Sequence, residues 1–193
     1  MLTRTTTRLL DDLRDPSNSG AWELFDARYR PILLAFGGRL GFGSEEAEEM
    51  AQRSLAEFVK SYGDGRYNRA EGRLSAWLIG IARHVACAMR RRRSPALDPA
   101  FDLPDENELT RVWDRERELN ILSQALDRLR TTTGTDDHTL RAFDLFALRG
   151  VPAAEVARQC GISVDAVYTI KNRLTTRLRA LVGELTAAFD EGP

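Results

Sequence analysis

Cysteine and histidine are scarce in this sequence, two of each in 193 residues. They form no CxxC pair and no Cys/His cluster with zinc spacing. Cys87 and Cys160 lie far apart, each inside an apolar pattern, which predicts two reduced, buried thiols in a cytosolic setting. His84 and His138 stand in a chain with no glycine-rich phosphate loop, so no catalytic residue, metal or cofactor is expected and an enzyme is disfavoured. Long apolar runs are missing too. The longest aliphatic run, "ILLAF" at residues 32–36, is far too short to span a bilayer, and "MLTRTTTRLLDDLRD" has no signal-peptide core. The expectation is a cytoplasmic protein with no membrane partner. Strand-like alternation of apolar and polar residues is also lacking, and there is no internal repeat.

Net charge is nearly absent as well, at −1, which taken alone argues against a nucleic-acid partner. The average hides segregation. Residues 45–57 hold Glu45, Glu46, Glu48, Glu49 and Glu57 against Arg53, whereas 83–93 hold Arg83, Arg90, Arg91, Arg92 and Arg93 and no acid. Acids dominate again over 98–118, and Lys171, Arg173, Arg177 and Arg179 face only Asp165 over 163–179. Blocks of alternating sign suggest several surfaces with different partners.

What is present is helical periodicity. Trp22, Phe25, Tyr29, Ile32, Leu33 and Phe36 fall on one stripe, then Ala47, Met50, Ala51, Leu55 and Phe58, then Leu74, Trp77, Leu78, Ile81, Val85 and Met89. Ser44 is read as the N-cap of the second of these helices. Residues 94–112, with three prolines and several acids, read as an extended linker. Beyond it Leu119, Leu122, Leu126 and Leu129 share a face, Asp136 or Asp137 caps a helix bearing Leu140, Phe143 and Ala147, Gly150 closes that helix and Pro152 opens the next. The expected fold is all-α: a helical domain over 1–93, a linker over 94–114 and a second helical domain over 115–193.

Around Gly161 the spacing becomes specific. Val156 and Ala157 precede it, and Ile162, Val167 and Ile170 follow, at the offsets of a helix-turn-helix. The small Ala157 permits close approach, Gly161 the tight turn, and the aliphatic side chains weld the two helices. Ser163 is placed as the N-cap of the second helix. Asp165, Tyr168, Thr169, Asn172 and Arg173 then point away from the weld, flanked by Lys171, Arg177 and Arg179, a set suited to base edges and phosphates in a DNA major groove.

Two further faces accompany it. On "SEEAEEMAQRSLAEF", Glu45, Glu48, Glu49, Gln52 and Arg53 lie opposite the apolar stripe. Duplex DNA repels such a carboxylate-rich face, and a basic protein surface accepts it. On "RLSAWLIGIARHVACAMRRRR", Arg83 and Arg90 lie two turns apart with His84 and Arg91 beside them, fit for backbone phosphates. Tyr67 and Trp77 offer platforms for unstacked bases, although Trp77 also suits the core.

"AWELFDARYRPIL", "EEAEEMAQRSLAEF", "RYNRAEGRLSAWLIGIARH" and "AAEVARQCGISVDAVYTIKNRLTTRLRAL" together, in order and spacing over about residues 20–182, resemble the extracytoplasmic-function sigma factors of bacterial RNA polymerase. The opening "AW…F…Y" and "SVDAVYTIKNR" look most like a subgroup common in planctomycetes, often encoded beside serine/threonine kinases. The resemblance implies that Glu48, Glu49 and Gln52 lie in the segment docking the β′ clamp helices of core RNA polymerase, whose β subunit is a further partner. It implies that Arg73 to Arg93 covers recognition and melting of the −10 promoter element. The helix-turn-helix would read the −35 element, and an anti-sigma factor or a kinase is an implied regulator. Two positions depart from the family: Arg53 where an acid is usual, and Leu55 where an aromatic is usual. Ser44 or Ser54 is a candidate phosphorylation site on that surface. The rival reading is a stand-alone helix-turn-helix regulator whose amino-terminal bundle senses a ligand or dimerises.

Overall fold

The computed structural model describes residues 6–15, 17–68, 72–93, 105–132 and 135–189. Every regular element among them is helical: α1 (Thr6–Asp12), α2 (Ser19–Arg39), α3 (Ser44–Gly63), α4 (Leu74–Arg93), α5 (Glu106–Thr132), α6 (Asp137–Phe143), a π-helical turn (Asp144–Leu148), α7 (Ala153–Cys160) and α8 (Val164–Phe189). The chain divides into two compact units, residues 1–120 with 189–193, and residues 121–188. The all-α expectation holds.

In the first unit the three expected stripes face inward. Phe25, Tyr29, Ile32, Leu33 and Phe36 of α2, Met50, Leu55 and Phe58 of α3, and Leu74, Leu78, Val85 and Met89 of α4 are buried. Phe25 and Phe58 stack at 4.2 Å between centroids, and Trp77 meets the Phe58 ring at 5.3 Å. At Gly37 the helices approach so closely that a Cβ would lie 3.1 Å from the Ala47 Cβ, so glycine there sets the α2–α3 distance. Asn18, not a residue of the first turn, caps α2 by accepting from the Ala21 amide. Ser44 is the first residue of α3 and not its cap. Gly43 holds the cap position, and the Glu46 carboxylate accepts the Gly43 amide proton.

The expected linker is corrected in its second half. Residues 94–104 lie outside the described residues, but Asp105 accepts from the Glu108 amide and α5 starts at once. Leu109 and Trp113 are fully buried in the first unit, with Trp113 edge-on to Phe36 at 6.0 Å. Glu116 is buried as well and pairs with Arg39 at 2.9 Å. Burying an apolar side chain such as Leu109 contributes roughly 1.5–3 kcal/mol, and α5 starts only after the last of the three prolines, Pro104. Further along α5 the inward residues are Ile121, Ala125 and Leu129, whereas Leu119 and Leu122 are exposed. Of the leucine stripe read from the sequence, Leu129 is buried and Leu126 half-buried, whereas Leu119 and Leu122 face outward.

The second unit is built around the expected turn. Asp136 caps α6, accepting from both the amide and the hydroxyl of Thr139. α6 ends at Phe143 and runs on as the π-helical turn, so Ala147 is exposed. Gly150 adopts φ +70, as a chain reversal requires. Pro152 occupies the cap position before α7 rather than its first turn.

Candidate functional site

The helix-turn-helix forms as the spacing demands. Val156, Ala157 and Val167 are buried with Ala142, Ala153 and Cys160, and Ile162 and Ile170 pack against them. Gly161 takes the left-handed conformation, φ 61 and ψ 34, while the Ile162 amide donates to the Ala157 carbonyl at 3.0 Å. Ser163 caps α8 by accepting from the Ala166 amide at 3.1 Å. With that weld fixed, Asp165, Tyr168, Thr169, Asn172, Arg173 and Arg177 are exposed, and Lys171 is half-buried. Tyr168 is 49% exposed yet not loose: its ring stands edge-on to Phe146 at 5.3 Å. Phe146 is a support the sequence reading missed, since only the fold brings the π-helical turn beside α8. Thr169 returns its hydroxyl to the Asp165 carbonyl at 2.9 Å, which leaves the oxygen's lone pairs for an acceptor role. On α7, Glu155 accepts from Gln159 and from Arg158, and these hydrogen bonds hold its carboxyl below the usual range. Arg158 is thereby turned along its own helix.

On α3, Glu45, Glu48, Glu49 and Gln52 are exposed and Arg53 is half-buried, all on the side away from the core. The face is less purely negative than its sequence. Arg53 bridges Glu49 one turn back, and Arg30 of α2 joins Asp26 and Glu48, each at 2.8 Å. Those two carboxylates, Asp26 foremost, hold the Arg30 guanidinium above its ordinary range. Nothing in the α3 pattern announces Arg30; only the α2–α3 packing brings it there. Arg93, at the end of α4, reaches Glu46 at 3.4 Å, so negative and positive faces share an edge.

Along α4 the expected cations divide. Arg73, just before the helix, His84 and Arg91 are exposed, and Arg83 is half-buried. Arg90 is committed elsewhere: its guanidinium donates to the Leu40 carbonyl at the end of α2 and lies over the Phe42 ring at 5.7 Å. It stabilises a helix C-terminus, where a cation meets the negative end of the dipole. Tyr67 and Trp77, read as two platforms, stack on each other at 5.0 Å with an interplanar angle of 27°. Each spends a face on the other, and both are half-buried. Cys87 is half-buried, not buried as expected, and Cys160 is buried; both are free thiols. Among the described residues no group of His, Cys, Asp and Glu is placed to hold a metal, and no helix is long and apolar enough to cross a membrane.

No family model and no curated protein matches the chain. Among solved structures it is similar to one described as CnrH in complex with the cytosolic domain of CnrY, at 20% identity and a TM-score of 0.36, with 91% of this chain and 95% of that chain covered. At that identity and TM-score the likeness carries no weight for function.

Proposed function

We propose that this chain is a sigma factor of the extracytoplasmic-function type, a promoter-specificity subunit with no chemistry of its own. The observation that carries the reading is a pair of outward faces of different character on separate units. One is the carboxylate-rich side of α3; the other is the row Tyr168, Thr169, Asn172 and Arg173 on the second helix of a helix-turn-helix. A regulator acting on DNA alone gains nothing from a carboxylate face, because the phosphates repel it. A subunit that grips a basic protein surface while reading DNA needs both.

In this scheme Glu45, Glu48, Glu49, Gln52 and Arg53 bind core RNA polymerase within residues 1–93. The cationic side of α4, with Arg73, Arg83, His84 and Arg91, holds the opened −10 strand. Ser163, Asp165, Tyr168, Thr169, Lys171, Asn172, Arg173 and Arg177 read or flank the −35 element, within residues 115–193. Base contacts of this kind are each worth about 1–3 kcal/mol of discrimination. Arg90 contributes by holding α4 against the end of α2.

Transcription in vitro with purified core polymerase on a promoter library tests the reading. Sequence-selective initiation is expected only when chain and core are both present, with weak DNA binding by the chain alone. A tight footprint on a palindrome without polymerase, and no association with core enzyme, would instead establish the stand-alone regulator.

A further inference from the structure

We infer that the first two turns of α8 read thymine by its C5 methyl group, through an outward apolar pair made of Val164 and Tyr168. Val164 is the first residue of the helix and is 40% exposed; Tyr168, one turn on, is 49% exposed. Residues four apart share a helix face, so the two present one apolar strip beside the polar row of Asp165, Thr169, Asn172 and Arg173.

Stability alone does not account for the pair. A β-branched side chain is stiff at χ1 and has lower helix propensity than alanine. At Val167 burial in the weld offsets that loss, whereas Val164 stays exposed and gains no such burial. Tyr168 is held in place as well, its ring edge-on to Phe146 at 5.3 Å and an interplanar angle of 89°. Phe146 belongs to the π-helical turn, which Arg149 closes. The Arg149 amide donates to the Asp144 carbonyl at 3.0 Å, and its guanidinium pairs with the Asp144 carboxylate at 2.6 Å. A side chain fixed in advance loses less conformational freedom when a ligand covers it, so Phe146 is a positioning residue for Tyr168.

The surroundings identify the occupant. Between Val164 and Arg179 the helix carries Lys171, Arg173, Arg177 and Arg179 against one acid, Asp165, and those three arginines are exposed. That balance suits the phosphates bordering a major groove. In a helix-turn-helix the N-terminal residues of the second helix meet base edges, and the thymine methyl is the apolar group that base pairs display there. The pair therefore favours a thymine at one or two neighbouring positions. This inference rests on duplex reading by the helix-turn-helix, as proposed above, and not on polymerase docking.

Random duplexes are enriched on the full-length chain at low salt, with and without core polymerase, against core polymerase alone. The selected duplex is then remade with each thymine replaced in turn by deoxyuridine, which deletes only the methyl. At one or two positions binding should weaken about fourfold, the factor that burial of one methyl supplies. In Val164→Ser with Tyr168→Ala that penalty should vanish, because the protein side of the contact is gone. Tyr168→Phe, which lacks only the hydroxyl, should keep it. Phe146→Leu should shrink the penalty that Tyr168→Ala removes and leave the one that Val164→Ser removes, a split that general loss of folding does not produce. Equal binding of every deoxyuridine duplex overturns the inference while duplex reading stands. A penalty that persists in the double variant overturns it too. If no sequence is enriched at all, duplex reading falls together with the inference.

Discussion

Gly161 and Gly80 face the same chemical change with opposite consequences. At Gly161 the backbone sits at φ 61 with nothing within 4 Å of an added Cβ, so Gly161→Ala costs only the left-handed conformation, about 1–2 kcal/mol. At Gly80, inside α4 and equally uncrowded, Gly80→Ala should stabilise by about 1 kcal/mol through helix propensity. Urea unfolding of the two variants should shift the midpoint down for the first and up for the second. Asp136 gives a residue-scale prediction in pH. Its hydrogen bonds to the Thr139 amide and hydroxyl hold its carboxyl below the usual value. A carboxyl depressed in the folded state contributes stability above its unfolded pKa, about 3.9, and loses it as pH falls through the folded value. Asp136→Asn keeps a capping acceptor and cannot titrate, so the gap between wild type and variant should narrow on going from neutral pH to about pH 3. Unfolding midpoints at the two pH values check this.

At the scale of elements, α5 is the instructive case. Its first half belongs to one compact unit and its second half to the other. Leu109 and Trp113 anchor the first half, and Trp113→Ala should cost about 3–5 kcal/mol, as large-to-small changes at buried aromatics do. Denaturant unfolding measures the loss. Detachment of the helix start should also speed modification of Cys87, since Leu109 and Cys87 line one cleft between α4 and α5. The signal for this half-helix was present in the sequence. Leu109 and Trp113 are four apart and Asp105 precedes them as a cap. Three prolines and a density of acids masked it, because local composition says nothing about the tertiary burial that pulls Trp113 inward. By contrast α3, α4 and the α7–α8 pair were legible, because their stripes are long and their breaks fall at glycine.

For the whole molecule, the proposed function separates two activities onto two surfaces, and single substitutions should separate them too. Glu49→Lys leaves the core untouched, removes the exposed bridge to Arg53 and reverses charge at the proposed docking face. Such exposed pairs are worth about 0–1 kcal/mol, so the fold should survive while transcription with core polymerase falls by at least tenfold, the equivalent of about 1.4 kcal/mol in docking. Arg173→Ala should leave polymerase association unchanged and relax selectivity at upstream promoter positions by about 1–3 kcal/mol. Pull-down of core enzyme and initiation across a promoter library measure the two effects independently. A variant pair that lost both activities together would mean the surfaces do not act separately.

The sequence by itself determined α2, α3 and α4 with their buried stripes, and the helix-turn-helix, because these rest on spacings of three to four residues and on glycine at a turn. It also determined which residues of α8 face outward, since one welded side fixes the opposite one. Only the tertiary structure decided what each outward cation does. Arg90 was turned to a helix end, Arg30 was brought onto the acidic face, and Arg83, His84 and Arg91 were set around a cleft closed by Leu109. Those outcomes depend on residues 18 to 50 positions apart in the chain. No local period encodes where such partners meet, because packing of whole helices sets their distance.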